Sequence, residues 1–107
     1  MTIGNRLKKA RKEKGLTIKE VQKEIKIRTI YLEALEEDEY EKINGEAYIR
    51  AFIKSYAKFL GLNHEKLYLQ YKEYKQKKEK EEKEMNEELK NEEKSFFQTK
   101  GISILLI

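Results

Sequence analysis

Residues 31–62, YLEALEEDEYEKINGEAYIRAFIKSYAKFLGL, decide how this chain folds. Between Ala47 and Leu60 the apolar residues Ile49, Ile53, Tyr56 and Leu60 recur at helical spacing, as burial of one helix face requires. Tyr48, Phe52 and Phe59 form a second stripe beside the first. Together the two stripes are wider than the sector of roughly 100° that a helix at the edge of a small bundle buries. Two outcomes follow. Either a fifth helix or the Tyr40 loop covers the excess, or Tyr48 and Phe52, flanked by Arg50 and Lys54, form an exposed aromatic anchor of the kind enriched in protein interfaces.

Toward the N-terminus the pattern is that of three short helices. Ile3, Leu7 and Ala10 predict a first helix over about residues 3 to 14, its other faces basic, with Gly15 at the left-handed cap. Thr17 and Glu20 make a capping box for a second helix with Ile18, Val21 and Ile25 inward. Thr29 is expected to cap a third helix that buries Tyr31, Leu32 and Leu35, with Ile27 filling the turn. Two helices joined this tightly form a helix-turn-helix. In the segment that follows, Tyr40 and Ile43 anchor an ordered loop that turns at Asn44-Gly45.

Toward the C-terminus, Gly61 ends the fourth helix and Asn63 caps a fifth, on which Leu67, Tyr71 and Tyr74 share a stripe. Residues 75 to 94 are almost wholly Lys, Glu, Gln and Asn, with Glu73–Lys77 and Glu79–Lys83 in the favourable helical order. Met85 and Leu89 are too few to sustain a heptad coiled coil, so the stretch reads as an exposed charged helix or helical linker. Gly101–Ile107, GISILLI, is an uncharged apolar run far short of the ~20 residues of a spanning helix. The expected organisation is a domain over residues 1–74 and a charged linker over 75–100, with 101–107 either a frayed tail or a membrane segment cut short.

Composition narrows the function. Of 107 residues, 38% are hydrophobic and 41% charged, too polar a balance for the whole length to enter one core. The chain has no Cys and one His, His64, which excludes thiolate metal sites and cysteine nucleophiles and leaves little for a zinc site or a His-based triad. No paired carboxylates, phosphate loop or metal cluster can be placed in a pocket, and the many acidic residues are assigned to solvated faces. The expectation is therefore no enzyme, no cofactor and no small-molecule substrate. The first residues lack the apolar centre of a signal peptide, which keeps the folded part in the compartment where it is made.

A net charge of +4 suits an acidic partner, and a DNA-reading helix-turn-helix would use Lys26, Arg28 and Thr29 at the start of its second helix. Glu33, Glu36, Glu37, Asp38 and Glu39 follow at once and oppose a polyanion. Helix one, with Arg6, Lys8, Lys9, Arg11, Lys12 and Lys14, is the best basic surface. It reads as the solvated face of an amphipathic helix, a backbone-binding surface, or a surface for anionic lipid or acidic protein.

The segments KIRTIYLEALEED and AYIRAFIKSYAKFLGL, with the more widely shared opening IGNRLKKARKEKGLT, resemble the N-terminal cytoplasmic domain of the RodZ family within the Cro/repressor-like helix-turn-helix group, over about residues 3 to 74. The resemblance implies an all-α, five-helix helix-turn-helix bundle on the cytoplasmic face of the cell membrane. It belongs to a single-pass membrane protein that binds the actin-like MreB filament in control of cell shape. On this chain the family's contact positions fall on Tyr48 and Phe52, with Arg50, Lys54, Lys26 and Arg28 as weaker carry-overs. The resemblance implies that the linker over 75–100 is juxtamembrane and that GISILLI, 101–107, is the start of the membrane segment, with the family's periplasmic part beyond it. Where family members often carry Gly-Asp and Pro-Gly-Pro in the loop before helix four, this chain has Asp38-Glu39 and Asn44-Gly45-Glu46. The alternative is a membrane-linked transcription regulator that binds DNA.

Overall fold

A computed structural model describes the backbone of residues 1–99 and the side chains of residues 1–89. The expected membrane segment, Gly101–Ile107, lies outside the described residues. Among those described the chain is all helical: α1 (Ile3–Glu13), α2 (Ile18–Ile25), α3 (Thr29–Glu36), a 3-10 turn at Tyr40–Lys42, α4 (Glu46–Phe59) and α5 (His64–Thr99). The chain divides into two units, Met1–Lys72 and Glu73–Ile107, with the division inside α5. No helix of the described residues is long and apolar enough to cross a membrane.

Local chemistry sets the helix ends. Thr2 Oγ1 accepts from the Asn5 N–H at 3.1 Å, and Thr17 and Glu20 close the capping box that opens α2. The start of α3 differs from expectation. Arg28 occupies the cap position without a side-chain hydrogen bond, and Thr29 is the first helical residue; its N–H donates to Gln22 Oε1 of α2 at 2.6 Å. The orphan donor is satisfied from the neighbouring helix, which ties the two arms of the helix-turn-helix together. At the end of α4, Gly61 in a left-handed conformation lets Leu62 N–H reach the Ala57 carbonyl at 2.8 Å. The same six-to-one closure ends α3, with Asp38 at φ +57° in place of glycine and Glu39 N–H on the Ala34 carbonyl at 2.8 Å. Asp38 then does what glycine cannot: its Oδ1 accepts from the Gly4 N–H at 2.9 Å and the Tyr40 hydroxyl at 2.8 Å.

The core of the first unit is Leu7, Val21, Leu32, Leu35, Ile53 and Tyr56, closed by Tyr40, Ile43, Leu67 and Tyr71. Tyr31 and Ile18 are only half-buried, and Tyr74, in the second unit, is 43% exposed. At the start of α1, an added Cβ on Gly4 would lie 2.3 Å from the Glu36 carbonyl oxygen and 2.6 Å from that of Leu35. Only glycine permits this approach, and the obstacle is backbone that cannot move aside.

Two residues assigned to solvated faces are inside. Glu36 is 4% exposed, and Arg11 of α1 grips it through Nε to Oε2 at 2.7 Å and Nη2 to Oε1 at 3.0 Å. Arg11 Nη1 also donates to the Leu16 carbonyl at 2.8 Å, and the Tyr56 hydroxyl of α4 donates to Glu36 Oε2. The correction has a physical cause: a carboxylate at this depth is tolerable only with its acceptor sites filled, and a bidentate guanidinium plus a phenol fill them. Its hydrogen bond to Glu36 first, and their attraction after it, raises the Arg11 pKa; burial first, and then the Glu36 hydrogen bond, raises that of Tyr56.

In the second unit, residues 76–89 are exposed, Lys75 pairs with Glu79 at 3.8 Å, and Met85 and Leu89 face solvent.

Removing one partner of the buried pair strands a charge, so Arg11→Met should lower unfolding free energy by about 3–5 kcal/mol. Lys8→Met, at the exposed Lys8–Glu37 contact of 3.2 Å, should cost at most about 1 kcal/mol. Denaturant titration of both variants checks the contrast. The phenol of Tyr56 makes a second prediction. With its folded pKa raised, its contribution is fully present below the unfolded value of about 10 and is lost as pH rises past that point. Unfolding followed from neutral to strongly alkaline pH should show a stability decline that is shallower in Tyr56→Phe.

Candidate docking surface

The rotation of α4 is fixed by its buried stripe, Ile49, Ile53, Tyr56 and Leu60. At 100° per residue this sends the remaining side chains to two separate flanks. On one flank are Tyr48, Phe52 and Phe59; on the other are Arg50 and Lys54; Ala47, Ala51 and Ser55 lie exposed between them.

The aromatic flank is partly covered. Phe52 is half-buried, and its ring stacks on Tyr31 of α3 with centroids 5.4 Å apart and planes at 29°. Tyr48 leans on Phe52 at 5.9 Å and 41° but is itself 61% exposed. Tyr40 of the 3-10 turn packs edge-on against Tyr71 of α5 at 5.0 Å. The Tyr71 hydroxyl donates to both Glu46 carboxylate oxygens, at 3.0 and 2.9 Å, and so steadies the first turn of α4 from which Tyr48 projects.

The basic flank faces the start of α5. Arg50 places its guanidinium 4.9 Å from the centroid of the Tyr68 ring. A groove of about 410 Å³ there is lined by Arg50, Lys54, His64, Glu65, Tyr68 and Leu69. The structure therefore does not gather the six candidate residues into one patch. Arg50 and Lys54 are separated from Tyr48 and Phe52 by the width of the helix, while Lys26, left-handed at φ +58°, and Arg28 are exposed at the corner between α2 and α3.

The outward face of α3 bears on the DNA question. Its exposed residues are Ile30, at 58%, Glu33 and Glu37, the last paired with Lys8. These occupy positions from which a recognition helix would meet base edges, and two carboxylates there face a polyanion. On α1, Lys8 and Arg11 are engaged by α3, and Arg6, Lys9 and Lys12 remain exposed.

The sequence pattern alone puts Tyr31 in the core and gives Tyr68 no part. The signal for Tyr31 was its place three residues beyond the α3 cap, off the stripe of Leu32 and Leu35 by about a quarter turn. Nothing local marked Tyr68 as the seat of Arg50.

An all-helical bundle with this tight α2–α3 corner is a helix-turn-helix domain. The helix-turn-helix domain family matches residues 6–67, more than half of the chain, and the chain belongs to that family. Over 57 residues, 53% of the chain, it is 42% identical to the uncharacterized membrane protein YmfM of Bacillus subtilis strain 168. Over 56 residues, 52% of the chain, it is 41% identical to the cytoskeleton protein RodZ of Streptococcus pneumoniae. The resemblance of the N-terminal half to the RodZ helix-turn-helix domain is thus borne out, and the matched stretch spans 20% of each relative's length. No solved structure matches the chain.

If Tyr48 is an anchor for a partner and not part of the core, its loss should leave the fold almost untouched. Tyr48→Ala should change unfolding free energy by no more than about 0.5 kcal/mol, against about 2–5 kcal/mol for Ile53→Ala one turn further along. Thermal or denaturant unfolding of the two variants measures both.

Proposed function

We propose that this domain is an adaptor that docks a cytoskeletal protein at a membrane, with Tyr48 and Phe52 of α4 as the anchor. The partner the RodZ resemblance implies is the actin-like MreB filament. A continuation of the apolar run at residues 101–107 would supply the attachment to the membrane, on its cytoplasmic face. The observation that carries the reading is the exposed Tyr48 ring continuing from half-buried Phe52, on a helix whose core face is already complete. A large amphipathic ring held on a helix is what protein hot spots use, because it covers area at little entropic cost. Arg50, Lys54, Lys26 and Arg28 fit peripheral contacts, which set approach and orientation more than affinity. The names of the two relatives, a membrane protein and a cytoskeleton protein, support the same role.

The competing reading is a regulator that binds DNA through α3 and the exposed cations of α1. The carboxylates Glu33 and Glu37 on the outward face of α3 weigh against it.

Co-sedimentation with MreB filaments separates the two. The chain should pellet with filaments, and Tyr48→Ala plus Phe52→Ala should abolish pelleting while the protein stays folded by circular dichroism. Unchanged pelleting of the double variant would remove α4 as the docking face. Sequence-specific retention of a DNA duplex, without pelleting, would make the chain a DNA-binding regulator.

A further inference from the structure

We infer that the docking surface is not confined to α4: Tyr31, from the second helix of the helix-turn-helix, is a positioning residue that holds Phe52, and through it Tyr48, in the arrangement a protein partner meets. The inference rests on the reading of α4 as the docking face and adds a part to it from a different helix.

Three rings form a ladder across two elements. Tyr31 and Phe52 are stacked at 5.4 Å and 29°, and Phe52 and Tyr48 follow at 5.9 Å and 41°. Exposure rises along the ladder, with Tyr31 and Phe52 half-buried and Tyr48 61% exposed. A ring as exposed as Tyr48 is free to sample several rotamers, and ordering it on binding weakens affinity. Phe52 offers Tyr48 a surface to lie on, and that surface is useful only if Phe52 is itself fixed. Tyr31 of α3 supplies that fixing contact, stacked on the Phe52 ring. The Tyr31 hydroxyl makes no hydrogen bond within the described residues, so its contribution is the face of the ring. Tyr31 also lies in the first turn of the helix that a DNA-reading helix-turn-helix would set into a groove, and here its ring is stacked on Phe52 of α4. The helix that would read bases thus serves as the support for a protein-binding ring.

The test is a double-mutant cycle on filament affinity, measured by quantitative co-sedimentation, with unfolding midpoints recorded for each variant. Tyr31→Ala should weaken binding about three- to tenfold, the range expected for loss of one ring pair. Tyr31→Phe should bind as wild type. On the Tyr48→Ala background Tyr31→Ala should weaken binding by a smaller factor than in the wild type, because only Phe52 is left to position. Two results overturn the inference while leaving α4 as the docking face: full affinity of Tyr31→Ala beside a lost Tyr48→Ala plus Phe52→Ala variant, or additive losses in the cycle. Full affinity of that α4 double variant would overturn the docking reading itself, and the role of Tyr31 with it. A loss in Tyr31→Ala that follows a fall in unfolding midpoint and is absent from Tyr31→Leu would also count against positioning by the ring.

Discussion

Everything in the first unit is arranged around one buried carboxylate. Glu36, at the end of α3, accepts from Arg11 of α1 through both carboxylate oxygens and from the Tyr56 hydroxyl of α4. Removal of such a group from water costs several kcal/mol unless its partners are in place, so the three helices must meet in one register for the charge to be tolerated. An apolar core of Leu and Ile accepts small rotations of its helices; a bidentate guanidinium does not. The triad is thus the part of this small core that specifies one arrangement.

The consequence for α4 is direct. With Tyr56 held by Glu36, the helix has one permitted rotation, and the aromatic and cationic residues are sorted to opposite flanks by the helical period. Phe52 then faces α3 with Tyr48 leaning on it from the solvent side, and Arg50 turns to Tyr68 of α5. A surface that looks in one dimension like a single mixed patch of rings and cations is in three dimensions two surfaces with different neighbours.

Much of the fold was legible because it rests on local rules. Helix periods, the Thr17–Glu20 capping box, Gly61 after α4 and Asn63, which accepts from the Lys66 N–H at 3.1 Å, act within one or two turns. The width of the apolar sector on α4 left two outcomes open, cover by a neighbour or exposure, and the Tyr48 ring is 61% exposed. What stayed hidden depended on distant partners. Glu36 differs from Glu33 and Glu37 only in lying one turn after buried Leu32, and its burial requires an arginine 25 residues earlier in the chain. Gln22 capping α3 in place of Thr29, and Asp38 accepting from Gly4, are contacts that no window along the sequence contains. The seat of Arg50 on Tyr68 stayed hidden for the same reason, since Tyr68 belongs to another helix.

The close approach at Gly4 has an electrostatic meaning as well as a steric one. The first turn of α1 carries the partial positive charge of its unpaired N–H groups, and the last turn of α3 carries the partial negative charge of its terminal carbonyls. Gly4 brings these ends together, with the Glu36 and Leu35 carbonyls against α1 and Asp38 accepting the Gly4 N–H. The two helix dipoles therefore meet head to tail at van der Waals distance, an attraction supplied by backbone alone. It does not titrate, and at this separation dissolved salt screens it far less than the exposed Lys8–Glu37 pair beside it. The joint between α1 and α3 thus has, beside the Arg11–Glu36 and Lys8–Glu37 ion pairs, a backbone component that ionic strength weakens little.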